Sequence, residues 1–123
     1  MYLRSTIFYL LLLFLLFSCD VDTGQSKVFN RQIQFQYSPD KKSSLEIYEA
    51  GIDSVDCATQ VIVKFKNAGA GVYSVTGINK GIKAYWKDNS TIVIETFKKY
   101  KQTQKEQQVQ NFNNIVNVEY IEN

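Results

Sequence analysis

The chain is 123 residues long and 45% hydrophobic, with 14 basic side chains, 12 acidic ones and no histidine. That length implies one domain, and a net charge of +2 excludes the strongly basic footprint of a nucleic-acid-binding surface. The lack of histidine excludes a Ser-His-Asp triad, a Cys-His pair and an H-E-x-x-H zinc site.

The N-terminus opens with Met1-Tyr2-Leu3-Arg4 and continues into an uncharged apolar run, Ile7 to Phe17, of eleven residues. As a helix this run would span about 16 Å, about half of a bilayer's hydrocarbon core, which suits a signal h-region and not a transmembrane span. Leu16-Phe17-Ser18-Cys19 follows at once. This segment resembles a bacterial lipoprotein signal with its lipobox. The resemblance implies that residues 1–18 are a cleaved signal peptide and that Cys19 carries a diacylglyceryl group as the first residue of the mature chain. Two or three acyl chains, at about 0.8 kcal/mol per buried methylene, hold a protein on a bilayer almost irreversibly. The expected location is the cell envelope, lipid-anchored. The outer membrane is favoured, on its periplasmic face or at the cell surface, and the inner membrane is the alternative, because Asp20 is compatible with either sorting rule. With Cys19 alkylated, Cys57 has no partner in the chain and is expected to be buried.

Residues 19–31 read as the lipidated cysteine and a polar, flexible tether, and residues 32–123 as the folded domain. Gln32 to Tyr37 alternates strictly and predicts a half-buried strand. Ser38-Pro39-Asp40-Lys41 predicts a turn leading to a second strand at Leu45 to Tyr48. After a loop, Gly51 to Asp56, the clearest strand is Thr59 to Lys66, with Val61, Val63 and Phe65 on one face. Asn67 to Gly71 predicts a hairpin connection to a strand at Val72 to Thr76. Gly81 to Trp86 and Thr91 to Phe97 predict another pair around Lys87 to Ser90. Lys98 to Gln110 is polar and weakly periodic, open to a hairpin tip, a loop or a short frayed helix, and Val116, Val118 and Tyr120 alternate in a last strand. The sum is an all-β domain, a small antiparallel β-sandwich or barrel of about seven strands.

Two motifs carry a second resemblance. Ser38-Pro39-Asp40 before a strand, with Trp86-x-Asp88-x-x-Thr91-x-x-Ile94, is similar to small exported bacterial β-domains with an SPD turn and a W-x-D-x-x-T-x-x-I strand pair. The likeness covers Phe35 to Glu95 and implies a fold relationship, with no activity attached. SPDG turns also occur in TolB-like propellers, but Lys41 stands in place of the glycine, and four blades of about 40 residues do not fit this length.

Candidate chemistry is sparse. Cys57 as a nucleophile would need a base that the chain lacks, and burial is the plainer reading. Asp53 and Asp56 lie near each other without the dense D-x-D-x-D-G spacing of a calcium loop, so a solvated turn is the plainer reading there. Trp86, Tyr85 and Tyr73, with Tyr48, form a candidate aromatic ligand platform, weighed against burial of the only tryptophan. Lys98, Lys99 and Lys101, with Lys105, form a candidate surface for anionic lipid heads or a polyanionic glycan, weighed against a solvated loop. No catalytic residue, metal site or cofactor is assigned. The functional expectation is a monomeric, non-enzymatic envelope lipoprotein, held to the membrane by its lipid and binding an envelope protein. The alternatives are a carbohydrate-binding module and an immunity or inhibitor protein against an exported toxin or hydrolase.

Overall fold

The structure, a computed structural model, describes residues 28–123. The expected signal peptide, Cys19 and the tether up to residue 27 lie outside the described residues. From Phe29 onward the chain is all-β, with nine strands: β1 (Phe29–Tyr37), β2 (Ser44–Gly51), β3 (Cys57–Lys64), β4 (Gly69–Thr76), β5 (Lys83–Asp88), β6 (Thr91–Thr96), β7 (Gln102–Lys105), β8 (Gln108–Asn111) and β9 (Asn114–Glu122). They form two sheets, ordered β1-β2-β3-β4-β7 and β5-β6-β9-β8. The result is a β-sandwich.

The core lies between the sheets and follows the alternation of the strands. Leu45 and Ile47 of β2, Val61 and Val63 of β3, and Val75 of β4 face Trp86, Ile92, Ile94, Val116 and Val118 of the second sheet, all buried. Cys57 is buried at the start of β3, with its thiol donating to Ser54 O. At the low end of area bookkeeping, each fully buried Val, Leu or Ile side chain contributes about 1.5–3 kcal/mol.

Three features differ from the sequence expectation. The polar stretch after Lys98 holds two short strands, so the count is nine and not seven. β7 and β8 run in the same direction, separated by Glu106 and Gln107. Glu106 N–H donates to Val72 O in the first sheet, while Val118 N–H donates to Gln107 O in the second. One bent strand thus passes from sheet to sheet and joins the sandwich along that side. Secondly, the sandwich is not wholly antiparallel: β9 returns parallel to β6, pairing Ile92 with Val118 and Ile94 with Tyr120. Because the bent β7–β8 strand makes no reversal, the chain reverses only twice between β6 and β9, and β9 returns along β6. Thirdly, β1 begins at Phe29, ahead of the Gln32 boundary, and a bulge between Gln32 and Gln34 shifts its register.

The bulge matters for the surface. Phe35 pairs with Glu46 and Tyr37 with Ser44, on the outer face of the first sheet, whereas Gln34 pairs with Ile47 and Gln36 with Leu45 on the inner side. Phe35 and Tyr37 are therefore about half exposed, at 47% and 57%, and Ile33, at the bulge itself, is exposed to 47%. The glutamines serve the sheet edge instead. Gln34 Nε2 donates to Ala84 O at 2.5 Å, and Trp86 Nε1 donates to Gln36 O at 3.1 Å. These bonds tie edge strand β1 to edge strand β5 across the two sheets. Each bond engages one backbone carbonyl on an edge strand, Gln36 O on β1 and Ala84 O on β5.

Candidate binding cleft at the hairpin end of the sandwich

The β1–β2, β3–β4, β5–β6 and β8–β9 turns gather at one end of the sandwich; β1 begins at the other. At the hairpin end lies a cleft of about 590 Å³ lined by Tyr37, Lys41, Lys42, Ser43, Ser44, Lys64, Phe65, Lys66 and Asn114.

The SPD turn builds one wall. Lys41 N–H donates to Ser38 O at 2.8 Å, closing a β-turn, and Ser38 N–H donates to Ser43 O at 2.9 Å. The Asp40 carboxylate accepts from the Ser38 hydroxyl at 2.7 Å and from Lys42 N–H at 3.0 Å, and these two donors hold it below the usual carboxylate range. It is thus turned into its own loop. Asp40 N–H donates to Asn89 Oδ1 at 2.9 Å, so the SPD turn is docked on the Trp86–Thr91 hairpin. The two motifs behind the second resemblance meet as one structural joint between the sheets. Lys41 has φ 60°, in the left-handed region that glycine tolerates best. Lys41→Gly is expected to raise stability by about 0.5–1 kcal/mol by relieving that backbone position; a thermal melt at pH 7 of wild type and variant checks it, and a lowered midpoint would contradict it.

Behind Lys64 lies a buried carboxylate on the outer face of the first sheet. Glu46 is only 5% exposed. Its Oε1 accepts from Gln32 Nε2 and from the Tyr48 hydroxyl, both at 3.2 Å, and its Oε2 pairs with Lys64 Nζ at 2.9 Å. The pairing raises the Lys64 ammonium above its ordinary value, chiefly through the bond to Glu46. Lys64 therefore stays charged and oriented. Lys41, Lys42 and Lys66 make no ion pair among the described residues. Four lysines line the cleft; the neighbouring carboxylates are Glu46, paired with Lys64, and Asp40, bonded within its own turn, so the field of the cleft is positive. Nearby, the β8–β9 turn presents Phe112 at φ 55° and 86% exposure, held by Gln110 Nε2 donating to Phe112 O at 2.8 Å. A bulky residue in that backbone region is rare.

The aromatic platform expected from Trp86, Tyr85, Tyr73 and Tyr48 does not form. Trp86 and Tyr73 are core residues, 8% and 0% exposed, because they sit on inward positions of β5 and β4. The Tyr73 hydroxyl is bonded to the Thr96 hydroxyl at 2.6 Å, and its ring packs against Tyr120. Tyr85 faces outward on the opposite sheet, paired with Val93, and Tyr48 is bound to Glu46. Lys98, Lys99 and Lys101 are exposed at the other end of the sandwich, on the connection from β6 to β7, remote from the cleft. Lys99 lies 5.8 Å from the Phe97 ring and 6.0 Å from Tyr100, while Lys105 pairs with Glu122. Asp53 accepts from Asp56 N–H at 2.7 Å and Val55 N–H at 2.8 Å, forming a turn, and these bonds lower its pKa. Among the described residues no group of three or more His, Cys, Asp or Glu side chains is placed to hold a metal.

The cleft lysines were not singled out in the sequence because they come from separate segments. The available signal was Lys41 in the glycine position of an SPDG-like turn. No family model matches the chain, and neither a curated protein nor a solved structure shows significant similarity to it.

Proposed function

We propose that the protein is a lipid-anchored lipoprotein of the cell envelope whose β domain is a non-enzymatic module that binds another envelope protein. The observation that carries the binding reading is the set of ammonium groups of Lys41, Lys42 and Lys66, which have no carboxylate partner among the described residues, in a cleft at the hairpin end. That end is the one farther from the start of β1, to which the expected anchor segment leads. Lys98, Lys99 and Lys101 lie at the end of the sandwich where β1 begins, and against an anionic surface each basic residue would add about 1 kcal/mol of attraction. Burial of Trp86 in the core removes the aromatic on which the carbohydrate alternative rested, whereas an immunity or inhibitor protein is a special case of the protein-binding reading.

Two measurements test the proposal. Cys19→Ala is expected to abolish incorporation of labelled acyl chains and to leave the signal uncleaved; equal labelling of wild type and variant would remove the anchor. Affinity purification of the intact lipoprotein from its own membranes is expected to recover a protein partner that is lost when Lys42 and Lys66 are changed to glutamate. Recovery unchanged by these substitutions would move the binding site away from the cleft.

A further inference from the structure

The cleft does not stand alone on the surface. Tyr37, which lines it, follows Phe35 on the outer face of β1, and Ile33 is exposed at the bulge just before them. The apolar row therefore leads directly into the lysines. Single exposed apolar residues need no explanation, but a row rimmed by charge of one sign, without ion pairs among the described residues, has the anatomy of an interface: apolar and aromatic centre, charged rim.

We infer that the partner surface is an acidic polypeptide segment that lies along the outer face of β1, with apolar side chains against Ile33, Phe35 and Tyr37 and carboxylates in the cleft of Lys41, Lys42 and Lys66. This rests on the protein-binding reading above and names the chemistry of the ligand. Charge complementarity selects an acidic occupant, because the carboxylates at the site are already engaged: Glu46 with Lys64, and Asp40 within its own turn. The ring geometry selects polypeptide over acidic glycan. Phe35 and Tyr37 stand edge to face, 4.8 Å apart with an 88° angle between their planes. Two perpendicular rings give no continuous flat face for successive sugars, yet they leave a notch for branched side chains. Lys41 adds a second argument. A lysine at φ 60° carries a backbone cost that glycine would avoid, and it places an ammonium group at the mouth of the cleft.

The test uses the full chain in neutral detergent, titrated by fluorescence anisotropy with labelled peptides of alternating Glu-Leu and alternating Glu-Ser, and with polygalacturonate as an acidic glycan. The Glu-Leu peptide is expected to bind most tightly and to weaken as salt rises. Affinity for it should fall at least tenfold in the double variant Lys41→Gly/Lys66→Ser, which relieves backbone strain while removing charge. Phe35→Ser should give a similar loss for Glu-Leu and little change for Glu-Ser. Equal binding of the two peptides, tighter binding of polygalacturonate, indifference to Phe35→Ser or no binding of any peptide would each overturn the inference. The protein-binding reading is judged separately: a partner recovered from membranes whose capture ignores Phe35→Ser and the lysine changes would leave that reading intact and remove this one.

Discussion

Trp86→Ala is expected to cost about 3–5 kcal/mol, a large share of the 5–15 kcal/mol that holds a domain of this size. The ring sits between the sheets among Leu45, Ile47, Ile92 and the other core residues, so truncation opens a cavity that flanking strands fill only in part. Its Nε1 also donates to Gln36 O, the bond that ties edge strand β1 to β5. Losing the ring thus loosens a sheet edge as well as the core. Urea unfolding of residues 25–123, followed by far-ultraviolet circular dichroism, measures the loss as a lower midpoint at similar slope. Trp86→Phe should fall between wild type and alanine, since it keeps a ring but leaves the Gln36 carbonyl without its donor. Tyr85→Ala, one residue away and facing outward, should cost under about 1 kcal/mol. Comparable losses at the two positions would contradict the inward placement of Trp86 and restore it as a surface aromatic.

The same residues show what the sequence made legible. A strand with one apolar face reads directly, because the period of two survives any tertiary arrangement; β3 has Val61 and Val63 inward as its alternation predicts. The alternation of β1 was read equally easily, yet it could not say which face points in. At a sheet edge the inward positions went to Gln34 and Gln36, whose amide and carbonyl groups bond to β5, and the apolar row was left to solvent. The two strands within the stretch after Lys98 were invisible because Gln102–Lys105 and Gln108–Asn111 offer little beyond Val109 to a core. Their pairing with β4 and β9, and the parallel return of β9, depend on non-local partners that no window of sequence contains. The cleft was hidden for the same reason. Lys41 and Lys42 come from one turn, Lys64 from the end of β3, Lys66 from the turn after it, and Asn114 from the start of β9, and only the fold brings them to one end.

Glu49→Gln is expected to destabilise the domain by about 2–3 kcal/mol at pH 7, and by progressively less as pH falls below the usual glutamate range. Glu49 is an inward carboxylate on β2, 2% exposed, beside the connection that crosses from β4 to β5. Its Oε2 accepts from Asn79 N–H at 2.6 Å, and its Oε1 pairs with Arg31 on β1. One charge thus fastens the edge strand and the crossing connection, where Asn79 takes φ 55°. The Asn79 N–H, then the Arg31 guanidinium, hold the Glu49 carboxyl below its ordinary value of 4.5, against burial acting the other way. Because the folded value lies below the unfolded one, the ionised group stabilises the fold fully above about pH 4.5, and that contribution is lost as pH drops through the folded value. Glutamine keeps the shape and gives up the charge, so it forfeits this contribution at neutral pH and has nothing left to lose in acid. Urea unfolding of both proteins from pH 7 to pH 3 should therefore show two stabilities that converge. A gap that stays constant across that range would mean that Glu49 acts through its shape alone, and that the connection to Asn79 is held by something other than the carboxylate.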